Sequence, residues 1–334
     1  MGLEIDVLEN ELLEKYPKVL EILLRDQTTK NNIFWATNNY SSLGENYKYS
    51  SYMTSDLISG KNGHIIVPRV KKLKELQNLR VRDMAEVFTP SWICNSQNNL
   101  IDNEWFGRNN VFNEELILDD GTVTWEVMKG KINFPTGKTW KDYVSESRIE
   151  ISCGEAPYIA SRYDTTTGDF IPIENRIGLL DRKLRIINEN VENTIDWIDA
   201  AQTAYKNIYA FEWQGDSLLL ARESMLISFI ENYIFKFGKE PLLSSIKEIA
   251  EVISWNIWQM DGLKFVVPNS CQSKSTQMQN LFGEIEIKSN NCEGCVSDNL
   301  LRHNGKYCLI MDWDAKEPGT KTKGKKIKFI DLIK

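Results

Sequence analysis

The chain has 334 residues, with 40 Lys and Arg against 47 Asp and Glu for a formal charge of −7, and 42% hydrophobic residues. At about 150 residues per domain this suffices for roughly two packed domains. No run of about 18 apolar residues occurs, and no basic head precedes an apolar block near the start, so a cytoplasmic protein is expected rather than a membrane or secreted one. The acidic balance argues against holding nucleic acid alone through a broad basic face, because such binding rests on Lys and Arg neutralising phosphates.

Leu8, Leu12, Leu13, Tyr16, Val19, Leu20 and Leu23 fall at helical spacing and predict one amphipathic helix over 8–24. Residues 28–63, rich in Asn, Ser, Tyr and Gly, read as loops and brief strands. From 68 to 84 a basic helical pattern with Arg69, Lys71, Lys72, Lys74, Arg80 and Arg82 predicts a solvated helix face. After Pro90 a helix is expected to begin, capped by Thr89 or Ser91. Residues 100–145 read as irregular with short strands.

The remainder alternates β-type runs with helical patterns, as in an open α/β sheet. A strand is predicted at 148–153 and a helix at 179–190. A second strand follows at 207–213, then a helix with Asp216 as N-cap that stops at Gly238. Pro241 starts another helix, and 255–262 closes the series as a third strand and turn.

These strands end at a Gly-containing turn, at the acid Glu212, and at Asp261-Gly262. In an open parallel sheet such carboxyl ends line one crevice where a nucleotide-like ligand binds. A small residue after the first strand admits the ligand to the backbone, an acid after the second accepts ribose hydroxyls, and an Asp after the third accepts from an adenine amine. With only His64 and His303 in the chain and neither beside an obvious nucleophile, hydrolase triads are weak readings.

Phe88-Thr89-Pro90, Glu150 through Cys153, Gly154 and Ala156 to Ile159, Ile208 to Trp213 with Ala221-Arg222-Glu223, and Asn256-Ile257 with Asp261-Gly262-Leu263 stand in one order over about 80–265. In that order they resemble the cofactor motifs of the gamma-class amino (N6-adenine) DNA methyltransferases of restriction-modification systems. The resemblance implies a Rossmann-like methyltransferase sheet that binds S-adenosylmethionine. Thr89, Glu150 and Gly154 would address the methionine end, Glu212 the ribose with Trp213 packing on adenine, and Asp261 the adenine amine. Two departures stand out: Glu150 is one methylene longer than the usual Asp, and Ala156 replaces a Gly, which would tighten the loop around a ligand. The family's catalytic Asn/Asp-Pro-Pro-Tyr/Phe motif has no counterpart, because no Pro-Pro dipeptide occurs in the sequence. The expectation is a split enzyme: this chain binds the cofactor, and a partner subunit brings the catalytic loop and the recognition of double-stranded DNA. An exposed apolar sheet edge or face near the C-terminus would receive that partner.

Four of six cysteines, Cys271, Cys292, Cys295 and Cys308, crowd into the C-terminal quarter, with Cys292-Glu293-Gly294-Cys295 forming a C-x-x-C knuckle. Four thiolates predict a structural zinc site that staples a polar insertion at about 268–310, with His303 able to replace an outer cysteine. Cys94 and Cys153 read as packing residues. The expected organisation is therefore an N-terminal extension over 1–145, carrying the Phe-Thr-Pro element, and a cofactor domain over 146–334. Two competing functions remain at this stage: a nuclease subunit using Glu284, Glu286 and Lys288, and an inactive interaction module.

Overall fold

The computed structural model describes residues 9–72, 74, 77, 81, 88–279, 285–316 and 323–333. The chain is mixed α/β with small sheets, one of them parallel. The expected first helix is two: α1 (Glu9–Lys15) and α2 (Val19–Leu24), separated by Pro17 and by Lys18 at φ 70°. Proline removes a ladder donor and a left-handed residue turns the chain, so the apolar periodicity runs across a corner. The basic helix predicted at 68–84 lies mostly outside the described residues; Arg69–Lys71 form a single tight turn.

Helix α3 (Ser91–Phe106) begins where predicted, with Pro90 as the N-cap residue. Neither Thr89 nor Ser91 caps it through its side chain; instead Asp164 Oδ2 accepts the Ser91 amide at 2.7 Å. The region expected to be irregular holds the hairpin β1 (Asn113–Ile117) and β2 (Val123–Val127), then α4 (Trp140–Ser145) with a Thr139/Asp142 capping box.

Three parallel strands follow: β3 (Arg148–Ile151), β4 (Ile208–Glu212) and β5 (Ile257–Gln259), in the spatial order β3-β4-β5. Arg148 stands opposite Ile208, and Ala210 opposite Ile257. The β3 to β4 crossover carries α5 (Leu179–Asn190) and α6 (Thr194–Lys206); the β4 to β5 crossover carries α7 (Gly215–Phe237) and α8 (Leu243–Asn256). Helix α7 begins three residues after β4 ends at Glu212, with Gln214 rather than Asp216 at its N-cap; Asp216 is buried and accepts from Tyr40 Oη at 2.8 Å. The helix ends as expected at Gly238, whose φ of 66° suits a residue without Cβ.

No described strand pairs with the outer edge of β3. Ile149 and Ile151 on that strand are 48% and 70% exposed. An open edge with apolar side chains thus lies at the first parallel strand, in the middle of the chain and not near the C-terminus as expected. At the other side of the sheet, the hairpin of β8 (Leu309–Lys316) and β9 (Lys323–Lys328) brings Cys308, Ile310 and Phe329 onto Phe211, Trp258 and Met260 as a second core. A further hairpin pairs β6 (Lys274–Gln279) with β7 (Ile285–Asn290).

The main core is one cluster running from Leu12 and Trp35 through Trp197, Leu226 and Phe229 to Ile257. The N-terminal segment is built into it. Gln259 Nε2 donates to Phe34 O and Trp213 O, both at 2.8 Å, and Gly215 N donates to Trp35 O at 3.0 Å. A Cβ on Gly215 would lie 2.2 Å from Phe34 O, so only glycine admits this backbone at the start of α7. A buried ion pair ties α3 to α5: Arg182 Nη1 to Asp102 Oδ2 at 2.6 Å, with Tyr143 Oη on the other carboxylate oxygen and Asn95 and Asn99 accepting from the guanidinium. No helix among the described residues is long and apolar enough to cross a membrane.

Candidate ligand cleft and metal centre

A cleft of about 1130 Å³ opens over the carboxyl ends of β3 and β4. Of the residues predicted from sequence, Phe88, Thr89, Glu150, Cys153, Gly154, Glu212 and Trp213 line it. They come from three segments far apart in sequence, and the parallel pairing of β3 with β4 brings them together.

The loop after β3 has a left-handed rhythm: Ser152, Gly154 and Ala156 take φ of 51°, 55° and 58°. Alternate positive φ turns successive amides in different directions. Cys153 N donates back to Phe211 O at 3.0 Å, which extends the pairing with β4, while Gly154 N donates to Glu212 Oε2 at 2.9 Å. Glu212 Oε1 accepts the Gln214 amide at 3.1 Å. The acid at the end of β4 is therefore a strut between the two loops. Burial pushes its carboxyl up, against the backbone donors of Gly154, Gln214 and Trp213.

Glu150 sits on the cleft floor, and burial drives its carboxyl well above the usual range, opposed by the Tyr158 amide and reinforced by the nearby Glu212 charge. Its Oε2 is sealed from solvent and has no hydrogen-bond partner, and the same is true of Gln214 Oε1. Two buried acceptors thus stand unfilled around one cleft, a costly arrangement unless something with donors occupies it. Cys153 is buried there too, and burial with the Glu150 and Glu212 charges raises its thiol far above the ordinary value, so it is no nucleophile.

The sequence reading did not single out Gln214 or Tyr49, both of which line the cleft, as does Tyr158 of the loop motif. Tyr49 Oη accepts from Trp213 Nε1 at 2.9 Å and brings the N-terminal segment to the rim. Aromatics in a polar, glycine-containing stretch carried the only hint.

Other predicted residues lie elsewhere. Pro90 starts α3 and does not line the cleft. Ala156 is fully buried in the main core, so its Cβ packs inward and does not tighten the cleft. Asp261 is buried and closes its own turn, accepting the amides of Leu263 and Lys264 at 3.0 and 3.2 Å and pairing with Lys264 Nζ at 3.3 Å. A Cβ on Gly262 would stand 2.7 Å from the Phe211 ring, so this glycine serves packing. Of the nuclease triplet, Glu284 lies outside the described residues; Glu286 and Lys288 are on β7 opposite Met278 and Thr276.

A second constellation joins Cys271, Cys292, Cys295 and His303, whose donor atoms all lie within 4.8 Å of one another. The three sulfurs stand 3.7, 3.7 and 3.6 Å from His303 Nδ1. A tetrahedral ion with bonds of about 2.3 Å to sulfur and about 2.0 Å to nitrogen demands edges of about 3.6 Å. The four residues could hold a metal ion. This corrects the expected set of four cysteines: Cys308 belongs to the second core, fully buried, with its thiol donating to Gln259 O at 3.5 Å. His303 takes its place.

The chain is shaped for this cluster. Cys292 caps the short helix α9 (Glu293–Ser297), which carries Cys295. A Cβ on Gly294 would lie 2.6 Å from His303 N, and one on Gly305 would lie 2.9 Å from Cys271 Sγ. Asn304 N donates to Cys292 Sγ at 3.2 Å. Burial opposes ionisation of Cys292, but the Asn304 and Cys295 amides and His303 bring its thiol down to about 6. Burial and the thiols of Cys292 and Cys295 push Cys271 up to about 12. Thiols this closely crowded without a cation cannot all ionise, whereas a cation at their centre would favour the thiolates.

Comparison of the chain with protein-family models, with curated proteins and with solved structures finds no match. Fold and site define a mixed α/β protein with a cleft of mixed polar and apolar lining at parallel strand ends and a separate Cys3His cluster.

Proposed function

We propose that this chain binds S-adenosylmethionine in the cleft over β3 and β4, as the cofactor subunit of a split adenine-specific DNA methyltransferase. One observation carries the reading: Phe88, Thr89, Glu150, Gly154, Glu212 and Trp213 converge on a single cleft at parallel strand ends. The unfilled acceptors Glu150 Oε2 and Gln214 Oε1 suit a ligand rich in donors, as an ammonium and ribose hydroxyls are. Phe88, Thr89 and Glu150 would hold the methionine end and Trp213 the adenine face. Bound there, the cofactor supplies an electrophilic methyl group. Asp261, turned into its own loop, has no part in this reading.

The catalytic Asn/Asp-Pro-Pro-Tyr loop and target recognition are assigned to a partner, and the chain alone is inactive. The outer edge of β3, with which no described strand pairs, supports this, because that edge and its two exposed isoleucines adjoin the cleft. A strand added there would end beside Glu150. We further assign zinc to Cys271, Cys292, Cys295 and His303: three thiolates and an imidazole at tetrahedral spacing form a closed, structural set.

Calorimetric titration of S-adenosylmethionine into the chain, alone and co-expressed with the product of the neighbouring reading frame, tests the reading. Saturable one-site binding that is lost in Trp213→Ala is expected. Absence of binding in both samples would overturn it and leave an interaction module.

A further inference from the structure

We infer that a compact cationic surface formed by α2, the turn after it, α8 and β9 binds the phosphate backbone of nucleic acid. The inference goes beyond the cofactor reading and stands without it, since none of its residues touches the cleft.

A groove of about 390 Å³ is lined by Lys18, Arg25, Lys30 and Lys247, with Glu21 and Glu251 as the acids. Lys326 on β9 extends it, because Lys30 Nζ and Lys326 Nζ lie 4.5 and 5.4 Å from the centre of the same Trp255 ring. Five cations thus surround two carboxylates, in a protein whose overall charge is −7. Elsewhere the cations are commonly neutralised: Lys15, Lys72, Arg148, Arg162, Arg176, Arg182 and Lys236 each have a carboxylate partner. Among the described residues, no carboxylate forms an ion pair with any of the five.

The turn holding Lys30 is rigid. Asp26 spends its carboxylate on the amides of Thr28 and Thr29 at 3.2 and 2.8 Å, and Thr28 Oγ1 accepts the Leu309 amide at 3.0 Å, tying the turn to β8. Lys30 Nζ is aimed by Gln27 Oε1 at 2.7 Å, and Arg25 Nη1 is braced on Lys30 O at 2.9 Å. Lys18 and Lys30 hold left-handed backbone at φ 70° and 67°. Gly or Asn would be easier there, so the positions carry a local cost that a cationic function would explain. Burial first, and then the facing Lys326, hold the Lys30 ammonium below its ordinary value, against the opposing pull of the nearby Glu251 and Asp26 carboxylates.

Phosphodiester is the partner chemistry this surface fits. Four of the five cations are lysines, compact point charges that suit phosphate without requiring a fixed bidentate geometry. They form a strip across four elements rather than one enclosed pocket, which matches a repeating polyanion better than a single ion.

Fluorescence anisotropy of the full chain with a labelled mixed-sequence DNA duplex, between 50 and 200 mM NaCl, tests this. About four phosphate contacts should give a log–log salt slope of about −3.6, or roughly a 150-fold loss over that range. Neutralising Lys30→Gln with Lys326→Gln should bring the slope down by about 2, while Lys141→Gln on α4 changes nothing. Unchanged melting temperatures in the variants exclude unfolding as the cause. The inference is overturned if the native chain shows no salt-dependent binding at 50 mM, if the double variant keeps the slope, or if polyglutamate binds more tightly than the duplex.

Discussion

Replacing Glu150 by Gln should stabilise the protein, and increasingly so as the pH rises. Burial raises the Glu150 carboxyl well above its unfolded value, so between the two the folded state keeps a proton that the unfolded state has lost. Stability is then full below the unfolded pKa, near 4.3, and falls as pH climbs toward the folded one, by about 1.4 kcal/mol per pH unit. For a chain of 334 residues the melting entropy is about 0.7 kcal/mol/K, so this slope is worth about 2 °C per pH unit. Gln keeps the shape and an acceptor for the Tyr158 amide but has no proton to lose. Thermal melts of both proteins at pH 4.5, 6.0 and 7.5 should show nearly equal midpoints at the lowest pH and a gap of several degrees at the highest. A gap that stays constant with pH would refute the reasoning, because it would place Glu150 in contact with water rather than on a sealed floor.

Two further outcomes follow from the geometry. Metal analysis of the purified chain should find one equivalent of zinc, lost in His303→Ala and retained in Cys308→Ala; the reverse pattern would restore the four-cysteine set. Asp102→Ala leaves Arg182 charged and buried, a loss of about 3–5 kcal/mol, readable as a drop of about 4–7 °C in the melting temperature.

How much of this was legible varies by residue. Helix α5 was readable to the residue, and α7 was readable at its end, because Gly238 states its stop in chemistry that tertiary contacts do not override. Helix α6 carries a weaker signal: Asn193 marks its start, accepting the Asp196 amide at 2.9 Å, but the cap lacks the usual Glu three residues on. The N-cap of α7 shows the opposite case, a strong local signal overridden at long range. Asp216 is an excellent cap by type, but the fold buries it against Tyr40 and Lys72, a pairing of residues 176 and 144 apart in sequence. The choice between Cys308 and His303 was likewise decided at long range. Cys308 opens a continuous apolar run, Cys308-Leu309-Ile310-Met311, and such a run sends a thiol to a core rather than to a metal.

The acid at the end of β4 shows what spacing alone could not foresee. A carboxylate offers about four acceptor positions. In Glu212 the amides of Gly154, Gln214 and Trp213 already draw on them, which leaves about one for a ligand. A ribose diol clasped by both oxygens, as the motif implied, would have to break one of the bonds that hold the Gly154 loop in place. Gln214 Oε1, buried, unpartnered and lining the same cleft, resolves the shortage. One hydroxyl can donate to Glu212 and the other to Gln214 without disturbing the strut. On the proposed cofactor reading, loop geometry and ligand recognition share one carboxylate, and replacing Glu212 would be expected to remove both at once.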